Sequence, residues 1–512
     1  MTLRILLLFF LSGATSLVYE VVWMRRLSLV FGHSIFSVST VLTTFMTGLA
    51  LGSYLGGRWS DTQRKLGRNP AEFLRDYGRL EFFIGAWAVL SLLLLNGVEA
   101  GYLFFARSGY AGSALTAVLF LCSFIVLLPP TVAMGATLPI FTQVLISSRG
   151  ETGTLLSKIY GLNTLGACFG AGISGLVGLP TIGLKATTAL TALLNGLIAV
   201  IAYSLARTEE EASSSVRAPL DSSSEQKEPL LGEHQKTGAS PLVPLVFGLS
   251  GFAGMVYQLS WTRALVLSIG SSTYSFSIIL TSFLASLGLG SFLYRKLFSN
   301  REPSIRDLSL LQLTIALSAL IVTGGMGLLP KFKLATLPYL KHSFALVVST
   351  DALTVFLMLL VPTLALGLTF PLVTHLYTSR LEELGRRLGE AYAANTVGAI
   401  LGSFLGGFLL IPAVGLERSI ALAAVLNLLG GFLLLGSGLS GSLSRKRPEL
   451  ALAVAVLAVL IFRPSWNLAL MTAGSSVTYQ TPGLRQHTII YRDRVSSTIT
   501  VGLNSGILPY LA

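Results

Sequence analysis

The chain is punctuated by uninterrupted apolar runs too long to be buried inside a soluble domain. They lie at roughly 5–24, 34–57, 80–100, 112–146, 155–178 and 183–206, then at 242–262, 272–294, 308–329, 344–377, 391–411 and 417–437, with a shorter one at 449–462. About 20 apolar residues in a helix cross the hydrocarbon core of a bilayer. Lipid offers no partner to a bare peptide group, so such runs must be helical. Charged residues make up 12% of the 512, half of the roughly 25% usual in soluble domains, which excludes a soluble enzyme. The net charge of +13 falls mainly in the loops and reads as topology, so no nucleic acid partner is expected. Cys122 and Cys168 both lie inside apolar runs, so neither a disulfide framework nor a cysteine metal cage is expected.

Loop charge sets the orientation. With a cytoplasmic amino terminus, inner loops hold 23 basic residues, outer loops 9 and the tail after residue 462 the remaining four. Lys and Arg concentrate on the cytoplasmic side. The runs at 112–146 and 344–377 are long and carry prolines midway; each is either one broken helix or a pair. Splitting them would carry Arg295 to Arg306 outside, against the bias, so six spans per half are expected. The first span has the look of a signal peptide, with Arg4, an apolar run and Leu11-Ser12-Gly13-Ala14. Its recurrence in mid-chain argues that it stays.

Residues 12–55 match 250–293 at a constant offset of 238, with 20 of the 44 positions identical. Ser12-Gly13, Val18-Tyr19, Trp23, Arg25 and Gly52-Ser53 recur as Ser250-Gly251, Val256-Tyr257, Trp261, Arg263 and Gly290-Ser291. At an offset of 232, Pro130-Thr131, Pro139, Asn163-Thr164, Gly166, Pro180 and Gly183 recur as Pro362-Thr363, Pro371, Asn395-Thr396, Gly398, Pro412 and Gly415. A whole six-span unit is therefore duplicated. Direct repeats with an even span count sit parallel, about an axis along the membrane normal, as the halves of major facilitator transporters do. The loop after the second span, Gly57-Arg58-Trp59-Ser60-Asp61 followed by Arg64-Lys65, resembles the signature that family carries there, with Asp61 and Arg64 as its gating and topology residues. The expected fold is an all-α polytopic membrane protein of two parallel six-helix repeats, major facilitator-like, plus one extra span and a short β-like tail. The expected divisions are 1–206, a cytoplasmic linker at 207–241 rich in Glu and Ser, 242–440, a basic stretch and thirteenth span at 445–466, and a tail at 467–512. Glycines four apart (Gly48, Gly52, Gly56; Gly166, Gly170; Gly398, Gly402, Gly406) suit close helix packing.

Ionisable residues inside a span are costly and default to function. Glu20 sits in the first span and its repeat partner is Gln258, so any charged role belongs to the first half. Tyr19 and Trp23 are four apart and hence share a helical face, as do Tyr257 and Trp261. A carboxylate beside four rings would suit an amine cation. In the competing reading Glu20 is near the outer interface and pairs with Arg25, Arg26 or Arg263, while the rings form an interfacial belt. Asp351, which aligns with Leu119, reads as the deepest carboxylate, either a proton or cation site or a structural hydrogen-bonder. Glu81 and Glu99 bracket the third span and read as interfacial. Pro139 and Pro371 are expected to break helices and free carbonyls toward a cavity, with Asn163 and Asn395 at the same depth. His33, His342 and His375 lack metal spacing; no cofactor motif is present, and no metal or catalytic residue is expected.

Ser12-Gly13-x5-Tyr19-Glu20-x2-Trp23-x-Arg25 and Gly48-Leu-Ala-Leu-Gly-Ser53 resemble the membrane part of bacterial fused transporter–spermidine synthase proteins, the membrane polyamine aminopropyltransferases. The resemblance covers about residues 1–501, including Pro464-Ser465-Trp466-Asn467 and Tyr491-Arg492-Asp493 to Val501. It implies that the tail opens the β-hairpin of a spermidine synthase domain, which transfers an aminopropyl group from decarboxylated S-adenosylmethionine to a diamine. The sequence ends at Ala512, before the family's Gly-rich nucleotide loop and catalytic aspartate, and Ser496-Ser497 stand where soluble synthases have Tyr-Gln. No aminopropyl transfer is therefore assigned to this chain alone. Three readings follow. The first is a transporter-like protein in the bacterial inner membrane, in contact with lipid, that handles a small cationic metabolite such as a polyamine. The second is the membrane portion of an aminopropyltransferase with a separate catalytic domain as partner. The third is a non-transporting scaffold.

Overall fold

The computed structural model describes residues 2–30, 35–108, 113–145, 152–215, 241–270, 272–299, 301–340, 343–377, 384–437, 447–462, 465–466, 471, 486–493 and 498–504. His33, His342, Ser496-Ser497 and most of the expected linker lie outside the described residues.

The first half comprises α1 (Thr2–Val30), α2 (Ile35–Lys65), α3 (Pro70–Arg107), α4 (Ser113–Leu145), α5 (Thr152–Ile173) and α6 (Leu179–Ser215). The second comprises α7 (Leu242–Ile269), α8 (Thr273–Leu297), α9 (Ile305–Met326), the short α10 (Leu329–Leu340), α11 (Phe344–Tyr377), α12 (Leu384–Leu405), the one-turn α13 (Ile411–Val414) and α14 (Leu416–Ser437). An extra helix, α15 (Arg447–Phe462), and a hairpin of β1 (Gln486–Asp493) and β2 (Thr498–Asn504) follow.

Among the described residues, eleven helical stretches are long and apolar enough to cross a membrane, and one of them, Gly161–Glu210, runs 50 residues. At about 1.5 Å per residue it would reach roughly 75 Å, more than twice the hydrocarbon thickness. It breaks into two crossings at Gly183, whose φ of 74° no side chain-bearing residue adopts comfortably. Gly415 (φ 82°) is the repeat-related break in the second half. A π-helical turn precedes each break, Ser174–Gly178 in the first half and Gly406–Leu410 in the second. Pro180 and Pro412 lie just beyond these two turns. Each lacks an N–H and crowds the carbonyl four residues back, which the wider turn relieves.

Caps fix several other starts. Asn69 accepts from the Glu72 amide while Glu72 reaches back to Asn69, with Pro70 at the first helical position. Ser304 and Asp307 form the same box on α9.

The two halves pack alike: α1 on α5, α2 on α4 and α3 on α6, matched by α7 on α12, α8 on α11 and α9 on α14. Across the halves, α5 meets α8 and α12 meets α2, and Thr43 Oγ1 lies 3.0 Å from Ser403 Oγ. The glycine rows allow the close approaches: a Cβ at Gly166 would lie 2.0 Å from the Phe10 carbonyl oxygen, and one at Gly398 1.9 Å from that of Gly248. This is the expected all-α polytopic fold of two parallel six-helix repeats, with α15 packed on α9.

Three details correct the sequence reading. The long runs at 112–146 and 344–377 are single helices that continue through Pro139 and Pro371, as membrane helices can where other groups take up the freed carbonyls. The helix of the third span begins at Pro70, ten residues before the apolar run, so Glu81 lies three turns inside that helix. Finally, α6 continues to Ser215, into the stretch that composition assigns to the linker, and Arg75 pairs with Glu210 at 2.6 Å to hold that extension against α3.

Candidate functional site

A cavity of about 340 Å³ lies between the halves. Its lining comes in repeat-related pairs: Glu20 with Gln258, Phe45 with Phe283, Leu49 with Leu287, Ser53 with Ser291 and Asn163 with Asn395. The cavity therefore straddles the axis that relates the repeats. Among the described lining residues, Glu20 is the only acidic or basic one. It is 3% exposed, and no hydrogen bond or ion pair to it is found among the described residues. A carboxylate buried among apolar side chains without a counter-charge is costly unless a cation or a proton joins it.

The aromatic residues do not join it. Tyr19, Trp23, Tyr257 and Trp261 are fully buried and stack in pairs within their own halves, with ring centroids 5.7 Å apart for Tyr19–Trp23 and 5.1 Å for Tyr257–Trp261. The expected cage of four rings around Glu20 is thus corrected. Neighbouring residues on a helix point about 100° apart, so Tyr19 turns into the bundle when Glu20 faces the cavity. The interfacial-belt alternative is corrected by the same burial.

Tyr19 instead belongs to a polar network that sequence reasoning missed. Its hydroxyl donates to Asn195 Oδ1 at 2.7 Å, and Asn195 Nδ2 donates to Glu81 Oε2 at 2.6 Å and to Thr15 Oγ1 at 3.2 Å. Ser12 Oγ donates to the other Glu81 oxygen at 2.5 Å. Glu81 is fully buried within the bundle. The second half repeats the arrangement without charge: Tyr257 donates to Asn427 Oδ1 at 2.9 Å, and Asn427 Nδ2 donates to Gln312 Oε1 at 2.7 Å. Extending the repeat comparison through the third span, where Glu81 stands opposite Gln312, is the signal that would have found it.

The remaining expected site residues lie elsewhere. Asp351 accepts from Lys333 Nζ at 2.9 Å and is absent from the cavity lining. It sits only two turns from the start of α11, so Glu20 and Glu81 are the deeper carboxylates. Arg26 pairs with Glu99 at 2.5 Å, not with Glu20. Arg25 and Arg263 line a separate cavity of about 80 Å³ that Glu20 does not touch. Asp61 accepts from Gln143 Nε2 at 3.1 Å, and Arg64 donates to Gln143 Oε1 at 2.6 Å; both lie in the last two turns of α2 and not in the expected loop, and they fasten α2 to α4. Pro139 and Pro371 are not among the cavity-lining residues, although Leu138 and Phe370 beside them are. Asn163 and Asn395 do line it, and Asn395 Nδ2 donates to the Phe247 carbonyl at 3.0 Å. Among the described residues no three His, Cys, Asp or Glu side chains gather to hold a metal ion.

No family model matches the chain. Over 200 residues, 39% of this chain and 34% of the relative, it is 24% identical to Polyamine aminopropyltransferase 1 of Streptomyces coelicolor. Over 195 residues, 38% of this chain and 36% of the relative, it is 25% identical to Polyamine aminopropyltransferase 2 of Aquifex aeolicus. The match thus spans about a third of the length of these curated relatives. In structure, the chain is similar to a bacterial homologue of the iron transporter ferroportin. The inward-facing crystal structure of that protein gives a TM-score of 0.53 at 15% identity, covering 85% of this chain and 99% of that one. The outward-facing structure gives 0.50 at 16% identity, covering 85% and 98%. At such identities the likeness establishes the fold: a multi-pass membrane protein built as those transporters are built.

Proposed function

We propose that the chain is a transporter of the bacterial inner membrane, amino terminus cytoplasmic, whose central cavity takes a small cationic metabolite of the polyamine class. The observation that carries this reading is Glu20, a carboxylate without a partner among the described residues, facing a cavity shared by both halves. An ammonium group would supply the missing charge, and Asn163, Asn395 and Gln258 would supply polar contacts to the rest of the solute. The partial likeness to polyamine aminopropyltransferases supports the same solute class. In this reading residues 1–206 and 242–440 are the two moving halves and 207–241 is the link between them. Asp351 is a structural ion-pair residue, and Asp61 and Arg64 act at the cytoplasmic end.

The test is uptake of labelled spermidine into proteoliposomes that hold the purified protein, beside Glu20→Gln. Saturable uptake that falls at least about tenfold in the variant, or roughly 1.4 kcal/mol, is the expected result. Equal uptake in both proteins would remove Glu20 from the site.

A second reading is favoured by the β1–β2 hairpin together with those relatives: residues 467–512 begin an aminopropyltransferase domain, and the helices anchor it and serve it with polyamine. Two strands alone do not make a stable domain, so catalysis would need further protein. Wild-type protein that is folded yet moves no spermidine would favour this reading over transport.

A further inference from the structure

We propose that Glu81, cradled by Ser12 and Asn195, is a proton-binding site of the first half, and that it gives up its proton when a cation occupies the cavity beside Glu20. The second clause rests on the cationic-solute reading above; the first does not.

The geometry is that of a carboxyl group built into the bundle. Glu81 is reached from α1 by Ser12, from α6 by Asn195, and through Asn195 by Tyr19 and Thr15. The titratable groups around it are tyrosines: Tyr19 from α1, and Tyr77 from its own helix, whose hydroxyl donates to the Leu8 carbonyl. The face of α6 offers the neutral Asn195, and α4, which also packs on α3, carries no acidic or basic residue. Among the described residues no basic side chain pairs with Glu81. A buried carboxylate that lacks a counter-charge must depend on donated hydrogen bonds when ionised, and it is a natural holder of a proton when they do not suffice.

The second half shows what the same cradle is like without this chemistry. There Gln312 replaces the acid, and Gln312 Nε2 and Ser250 Oγ, the counterpart of Ser12, are buried without hydrogen-bond partners among the described residues. The second half thus packs the same cradle around a neutral group, so clamping the helices does not itself require an ionisable side chain. The acid adds two well-directed acceptor oxygens and the ability to change charge.

Helix α1 links this cradle to the cavity, because Ser12, Thr15 and Tyr19 face Glu81's network while Glu20 faces the solute space. Eight residues separate Ser12 from Glu20 in the chain, about 12 Å along a helix. A cation beside Glu20 disfavours the proton on Glu81 through its charge, the more so the lower the effective dielectric constant between them. A proton that leaves when the cation binds makes exchange of solute for protons the coupling this arrangement supports.

The test uses the full chain in lipid nanodiscs. Infrared difference spectra between low and high pH should show the C=O band of a buried protonated carboxyl. Glu81→Gln should abolish that band, and Ser12→Ala, which removes one hydrogen bond and keeps the acid, should shift its frequency. A band untouched by both substitutions would overturn the proposal, and Ser12→Ala decides the matter even if Glu81→Gln fails to fold. Coupling is then read from weakly buffered protein to which spermidine is added: wild-type protein should release protons, and Glu81→Gln should bind spermidine and release none. Equal release from both would overturn the coupling. If wild-type protein binds no spermidine, the cationic-solute reading fails, while the infrared band still decides whether Glu81 holds a proton.

Discussion

The two halves share a scaffold and differ in charge. Each has the same helix pairings, the same glycine contacts, the same break after a π turn and the same Tyr–Asn pair buried between its first and sixth spans. Yet at two repeat-related positions the first half has an acid where the second has an amide: Glu20 against Gln258, and Glu81 against Gln312. The two frames match, and only the first carries the two acids. A residue that holds the frame should therefore matter equally in both halves, whereas a residue that handles charge should matter in the first alone.

The largest effect tests the shared frame. Gly166 and Gly398 let backbones touch at equivalent places, with carbonyl oxygens 2.0 and 1.9 Å from where a Cβ would sit. Because those atoms are backbone, they cannot swing aside as a side chain would. Gly166→Val and Gly398→Val should each destabilise the protein by about 3 kcal/mol or more, at the upper end of overpacking costs, measured as thermal unfolding in detergent. If one variant is tolerated and the other is not, the halves are not equivalent frames.

Next in size is a charge transplant. Glu20→Gln should weaken spermidine binding at least about tenfold, roughly 1.4 kcal/mol. Adding Gln258→Glu to that variant should recover most of the loss, since Gln258 lines the same cavity from the other side of the axis. Isothermal titration with spermidine measures both. Failure of the second substitution to restore binding would mean that the first half contributes more than a charge, and would point to its neighbours along α1.

Much of the fold was legible because bilayer length and duplication are strong constraints. Counting apolar residues located the crossings, and the offset of 238 placed Glu20 opposite Gln258, while the offset of 232 put Asn163 and Asn395 at one depth. What stayed hidden depends on which way a side chain turns. Tyr19 and Trp23 do share a face, as their spacing requires, but it is the face away from Glu20. Asp351 looked deep because hydropathy does not register the Lys333 that meets it from a short helix 18 residues earlier. Glu81 looked interfacial because hydropathy began the third span ten residues after Pro70, where the helix starts. Neither Pro139 nor Pro371 ends its helix, since α4 and α11 run through them, and a proline alone does not say whether a membrane helix stops.

The smallest effect sharpens the comparison at an uncharged pair. Trp23 and Trp261 are both fully buried and both stack on the tyrosine four residues before them. Trp23 Nε1 donates to Ser91 Oγ at 2.9 Å, whereas Trp261 Nε1 is buried without a hydrogen-bond partner among the described residues. Replacement by Phe removes the indole N–H from each. At Trp23 it deletes a hydrogen bond to the Ser91 hydroxyl, which keeps its own bond to the Ala88 carbonyl; at Trp261 it deletes a polar group that has no partner among the described residues. Both substitutions lose ring area, so that cost cancels in the difference. Trp23→Phe should therefore be the more destabilising by about 1 kcal/mol, the net worth of one buried hydrogen bond, read as the gap between the two unfolding midpoints. Equal midpoints would mean that the Trp23–Ser91 hydrogen bond contributes nothing net, and that at this pair the halves are alike.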